Sequence, residues 1–203
     1  MDTTLYEWFN NYKLICLLFF IVLSYGFLVV DPLVMHYGIN GYDDSLKNMS
    51  IENIIITMFF APIFEELIFR WYLSGYRKHF LFILIQILFF SILNYQWAIW
   101  IIIFSVIIIL MFIRENNRRG DNVLISNRLL YISALFSSFL FAFSHLREIQ
   151  VESLGDSLLI SFVAFFPGAI FLTYIRYKNG IVAAIITHVA LNISILLLNT
   201  IIY

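Results

Sequence analysis

Within the stretch APIFEELIFRWYL, Glu65 and Glu66 stand side by side and Arg70 follows, in a run that is otherwise apolar. Glu66 and Arg70 are spaced i,i+4 with the glutamate first, the order that favours an ion pair on one face of a helix. Glu65 is turned about 100° away around the helix. Arg70 can therefore neutralise Glu66 while Glu65 faces something else, and a carboxylate left without a counter-ion is a usable general base. Pro62, three residues earlier, suits a helix start or a kink that leaves backbone groups available nearby. Further along, FAFSHL places His145 four residues after Phe141, and THVALN places His188 and Asn192 at the same spacing. Residues so spaced share a helix face, so the imidazole and the amide project toward one point. There they could hold a polarised carbonyl oxygen, bind a metal or orient a water. Each residue alone has a plainer reading: helix-to-helix hydrogen bonding for His145, His188 and Asn192, and a structural ion pair for Glu66 with Arg70. An ionisable side chain in hydrocarbon costs at least about 2.5–3.5 kcal/mol near a helix centre. A glutamate, two histidines and an asparagine converging from three helices therefore call for a common task.

The elements that must position them are membrane helices. The chain has 203 residues, 62% hydrophobic and 12% charged, where an average soluble domain is about 45–50% apolar and about 25% charged. Spans of the length a bilayer requires fall at 14–30, 51–73, 80–93, 97–113, 129–146, 157–175 and 181–199. The expected fold is an all-α polytopic transmembrane bundle of about seven spans, forming one domain over 1–203. The third span is short and holds Gln86, so the range is six to eight. The first reads as an anchor that is kept. Nine Lys and Arg fall in alternate loops on one side, among them Lys13, Arg77, Lys78, Arg114 to Arg128, Arg176 and Lys178, against Lys47 and Arg147 on the other. This bias places the N-terminus and the polar 114–128 loop in the cytoplasm and Tyr203 outside, with the cell membrane as the expected location. A net charge of −1 leaves no basic face for nucleic acid. The single cysteine, Cys16, excludes an internal disulfide and a cysteine-based metal site. His36 and His79 lie at or beyond span ends and read as interfacial.

Three motifs in order on three helices, EExxxR (Glu65, Glu66, Arg70), FxxxH (Phe141, His145) and HxxxN (His188, Asn192), resemble the CAAX prenyl protease and bacteriocin-processing family of intramembrane endopeptidases, also called the Abi family. The likeness covers about 61–75 and 133–199, and spans 80–93 and 97–113 read as an inserted hairpin. The resemblance implies peptide-bond hydrolysis within or at the edge of the bilayer, on a membrane-associated protein or peptide. Glu65 would activate water, assisted by His145, while His188 and Asn192 would stabilise the oxyanion. Glu66, Arg70 and Phe141 would support them. Members of the family are described both as metalloproteases and as metal-free glutamate proteases. A zinc site would draw on Glu65, His145 and His188 with water as the fourth ligand, although no HExxH is present.

Two other classes compete with this reading: a proton-coupled transporter with Glu65, His145 and His188 as its relay, and a non-catalytic immunity or scaffold protein binding a peptide partner. No inverted repeat supports the transporter, and the oligomeric state is not legible. Depth adds one expectation. Counted at 1.5 Å per residue from the span ends, Glu65 and His188 fall in the cytoplasmic half, whereas His145 comes about 10 Å nearer the outside.

Overall fold

The computed structural model of the chain describes residues 3–37, 50–80, 82–93, 98–119, 125–147, 149, 151 and 153–202. Lys47, Tyr203, the 94–97 connection and the middle of the 114–128 stretch lie outside them. Among the described residues the protein is helical, with no β-sheet. Helix α1 (Thr3–Tyr25) runs through a π-helical turn (Gly26–Val30) into α2 (Asp31–His36). Likewise α3 (Ile51–Ile55) runs through a second π turn (Ile56–Phe60) into α4 (Ala61–Arg70), which tightens into a 3-10 turn (Trp71–Ser74). Then follow α5 (Arg77–Phe80), α6 (Ile83–Leu93), α7 (Ala98–Arg119), α8 (Asn127–Ser144) with a 3-10 turn (His145–Arg147), α9 (Leu154–Asn179) and α10 (Ile181–Ile202).

Four helical stretches among the described residues are long and apolar enough to cross a bilayer: Tyr12–His36, Asn127–Ser144, Leu154–Asn179 and Ile181–Leu198. The α3–α4 run is continuous from Ile51 to Arg70 but carries Glu52, Glu65, Glu66 and Arg70, and α6 has only 11 residues. Burial is inverted relative to a protein in water. Leu28 is 76% exposed, whereas Glu66, Arg70 and Gln86 are 0% exposed. Apolar side chains can face hydrocarbon at no cost, while polar groups must be satisfied inside the bundle.

Prolines explain the two π turns. A proline ring lacks N–H and collides with the carbonyl four residues back; widening the preceding turn relieves the collision, while the missing N–H still leaves one carbonyl without a helical donor. Pro32 and Pro62 each sit just past such a turn, whose closing bonds run five residues back, from Asp31 N–H to Gly26 O and from Ala61 N–H to Ile56 O. In that register Pro62 leaves the Thr57 carbonyl without a helical donor, and Asn192 Nδ2 of α10 donates to it at 3.4 Å. Pro167, inside α9, leaves the Val163 carbonyl free four residues back; the Tyr25 hydroxyl of α1 donates to it at 2.9 Å.

The core is built in layers. Near the α5 end, Tyr72, Leu73, Phe80, Ile83, Ile108 and Leu129 pack together. In the middle, Phe69 of α4 meets Leu140, Phe141 and Phe143 of α8 and Ala169 of α9. Small residues let these helices approach: Ser137 donates to the Phe69 carbonyl and Ser161 to that of Ala142, as lipid-embedded helices commonly do. Only Gly180 separates α9 from α10. Its φ of +93° is a left-handed conformation that glycine adopts freely, and it folds α10 back along α9.

Candidate active site

The centre of the site is the second turn of α4. Arg70 Nη1 is ion-paired with Glu66 Oε1, both side chains being almost completely buried. Arg70 also donates from Nε to Thr173 Oγ1 at 3.3 Å and from Nη2 to the Ala169 carbonyl at 3.5 Å, and its guanidinium lies 4.7 Å from the centre of the Phe141 ring. One arginine thus ties α4 to both α8 and α9. The end of α4 is held from outside as well. Arg176 of α9 donates to the carbonyls of Arg70 and Trp71, each at 3.1 Å, satisfying acceptors that a helix C-terminus leaves open and placing a cation at its negative end.

Glu65 points away from Arg70, as the helical spacing requires, and faces two imidazoles. His188 Nε2 lies 3.5 Å from Glu65 Oε2, and His145 Nε2 lies 4.0 Å from Glu65 Oε1. Its side chain is 27% exposed, against 11% for His145, 7% for His188 and 0% for Glu66. Of this cluster, Glu65 is therefore the group within reach of a molecule arriving from outside. The same His188 ring places Nδ1 2.9 Å from Glu66 Oε1, so one imidazole spans both glutamates.

His145 corrects the depth expected from residue counting. Helical side chains lean toward their own N-terminus, and α4 and α8 run antiparallel, with Tyr72 bonded to the Ser133 carbonyl and Ser137 to that of Phe69. Glu65 and His145 therefore lean toward each other, closing an offset that Cα positions alone would leave open. The end of α8 completes the orientation. The His145 N–H turns to the carbonyls of Ala142 and Phe143, leaving the Phe141 carbonyl to the His145 ring, whose Nδ1 is 2.8 Å away. A carbonyl only accepts, so Nδ1 carries a hydrogen, and in the neutral ring Nε2 presents a bare lone pair to Glu65. Phe165 stacks on this ring at 4.1 Å. Phe141 packs against Phe69, His145 and His188.

Asn192 is placed differently from the histidines: its amide reaches the Thr57 carbonyl, two turns before Glu65. Sequence reading missed Thr173, Phe165, Ser144 and Arg176. Thr173 and Phe165 stand in the apolar stretch FVAFFPGAIFLTYI without a distinguishing signal. Ser144, whose hydroxyl donates to the Phe141 carbonyl at 2.7 Å, reads as one more small residue. Arg176 is legible only as one of the charges at a span end.

A family model described as type II CAAX prenyl endopeptidase, Rce1-like, matches residues 47–126 and 122–194. The chain belongs to this family. It is an integral membrane protein of a peptidase family, and its motif residues fall inside the matched stretches, with Glu65, Glu66 and Arg70 in the first and Phe141, His145, His188 and Asn192 in the second. The first stretch runs through 80–113 as well. No curated protein and no solved structure matches this Rce1-like chain. As for a metal, a carboxylate and two imidazole Nε2 atoms are donor types that suit zinc. Among the described residues, however, no group of three or more His, Cys, Asp and Glu side chains is arranged to hold an ion.

Proposed function

We propose that this protein is an intramembrane endopeptidase that uses Glu65 to activate water against a peptide bond of a membrane-associated protein or peptide. The observation that carries the reading is the placement of one partly exposed carboxylate opposite two imidazole Nε2 atoms, at 3.5 and 4.0 Å. These separations are too long for direct hydrogen bonds and are the kind that a single bridging water fills. Such a water gives one hydrogen to Glu65 and the other to the bare Nε2 of His145, which leaves an oxygen lone pair for the scissile carbonyl. Asn192 carries two amide hydrogens; the one not directed at Thr57 serves the carbonyl oxygen as charge develops there. Aromatic rings around the histidines exclude bulk water and strengthen these interactions.

The test is cleavage of a prenylated peptide with a CAAX-type C-terminus, by purified protein in proteoliposomes. Hydrolysis that survives a strong chelator is expected. Loss of activity with chelator, restored by zinc, would instead assign Glu65, His145 and His188 to a metal, and absence of cleavage across prenylated and unprenylated membrane peptides would remove the peptidase reading.

In the same proposal the α3–α4 run, α6 and α7 complete a seven-span topology with the N-terminus in the cytoplasm, supported by the nine-to-two distribution of Lys and Arg. In a Cys16→Ser background, single cysteines introduced in 114–128 should be labelled from the cytoplasmic side and one at position 203 from the outside. The reverse pattern would overturn the orientation, and labelling of both from one side would show the spans to be miscounted.

A further inference from the structure

The peptidase reading gives Glu66 no part beyond pairing with Arg70, yet its contacts include one to the site. Glu66 Oε1 receives Arg70 Nη1 and also lies 2.9 Å from His188 Nδ1, on a helix 122 residues further along the chain. All three side chains are at least nine-tenths buried. Oε1 already accepts from the guanidinium, and a carboxylate in an ion pair only accepts hydrogen bonds. The hydrogen of a neutral His188 must therefore sit on Nδ1, which leaves Nε2 bare and 3.5 Å from Glu65 Oε2.

We propose that Glu66 is the positioning residue of His188: it holds the ring with hydrogen on Nδ1, so that Nε2 takes a proton from Glu65 and delivers it to the departing amine. The last step rests on the peptidase reading, while the hydrogen's place on the ring does not. In the reaction, an O–H bond of water breaks as its oxygen bonds to the scissile carbonyl carbon, and the proton goes to Glu65. Glu65 passes it from Oε2 to His188 Nε2, the protonated carboxyl closing the 3.5 Å gap to hydrogen-bond distance. The resulting imidazolium is stabilised by the carboxylate of Glu66 at its other nitrogen, the role that the buried carboxylate plays in a Ser-His-Asp triad. His188 then gives the Nε2 proton to the amide nitrogen as the C–N bond breaks. The amine leaves, and the water oxygen remains in the new carboxylic acid. Glu65 ends as it began, a carboxylate.

This arrangement also bears on the oxyanion. A neutral His188 with bare Nε2 has no hydrogen to offer the carbonyl oxygen. It becomes a donor only after Glu65 has taken a proton from water and handed it on, which is the moment at which negative charge has formed.

The experiment reads the ring nitrogens directly. Protein labelled with 15N-histidine in lipid, with His188 assigned by comparison with His188→Gln, should show Nδ1 protonated and Nε2 bare at neutral pH. A bare Nδ1 would overturn the proposal, and a resting His188 protonated on both nitrogens would overturn the relay, because Nε2 would have no place for the proton of Glu65. The paired variant Glu66→Met with Arg70→Met removes carboxylate and counter-ion together, so neither charge is stranded. It should release the Nδ1 hydrogen and lower kcat by about 10³- to 10⁴-fold, on the scale of losing the orienting carboxylate of a triad, with KM changed by less than about twofold, as expected for a group acting only in the chemical step. Unchanged kcat in a folded paired variant would overturn the positioning role. If the paired variant does not fold, the wild-type spectrum still decides. If the wild type cleaves no peptide while Nδ1 is protonated, the peptidase reading fails and the positioning of His188 by Glu66 stands.

Discussion

Glu65→Gln should lower peptide cleavage by about 10²- to 10⁴-fold, the range lost when a general base is removed, while the protein still folds and inserts. Glutamine keeps the shape of the side chain but cannot accept a proton from water. Folding should be unharmed for a reason particular to this site. The amide of the introduced glutamine would offer an N–H donor to one of the two Nε2 atoms that face Glu65 at 3.5 and 4.0 Å, and a carboxylate has none. Thermal unfolding of the purified variant in detergent should match or exceed that of the wild type. Cleavage in proteoliposomes, normalised to folded protein, is the decisive measurement. Full activity in this variant would sink the proposed mechanism, and a dead variant that is also unfolded would show that Glu65 is a structural group.

Arg70→Met should have the opposite profile and strike stability first. Glu66 is 0% exposed, and its Oε2 has no hydrogen-bond partner among the described residues. Its charge therefore depends on what reaches Oε1. Removing the arginine strands a carboxylate in the interior, a change that costs about 3–5 kcal/mol when one partner of a buried pair is lost. It also removes the hydrogen bonds that Arg70 gives to Thr173 and to the Ala169 carbonyl. Adding Glu66→Met should recover most of the loss, because an apolar pair of similar volume strands nothing. Denaturant titration of the two variants beside the wild type gives both numbers. A loss below about 1 kcal/mol in Arg70→Met, well under the cost of breaking a buried pair, would mean that Glu66 needs no counter-ion and that the carboxylate is neutral in the folded protein.

What could be read from the sequence follows from which interactions are local. Glu66 with Arg70, and the divergence of Glu65 from both, depend only on helical spacing, so the structure repeats them. The apolar runs likewise mark where helices lie, although four described stretches have the length and apolarity to cross a bilayer unaided, and the α3–α4 run owes its charges to the site it carries. His145 was placed too far from Glu65 because residue counting measures Cα height, whereas contact is made by side chains that lean in opposite directions on antiparallel helices. The two-sided contact of His188 was out of reach, since which carboxylate meets which ring nitrogen is decided by how α10 folds back at Gly180. Arg176 was legible as a charge near the membrane surface, but its use depends on where α4 stops being helical. The π turns were announced only by their prolines, and no local pattern connects Pro62 with the far more distant Asn192.

That last connection makes some positions depend energetically on others. Pro62 creates the acceptor that Asn192 fills, and Pro167 creates the one that Tyr25 fills. Restoring an ordinary residue at either proline would return an N–H to that carbonyl, and the distant donor would then share its acceptor with the helix. Each donor therefore contributes most on a background containing the proline. For Asn192 the dependence reaches into chemistry. Loss of Pro62 would loosen the hold on an amide whose direction the Thr57 carbonyl now fixes, so a substitution outside the three motifs would blur the aim of a residue within them.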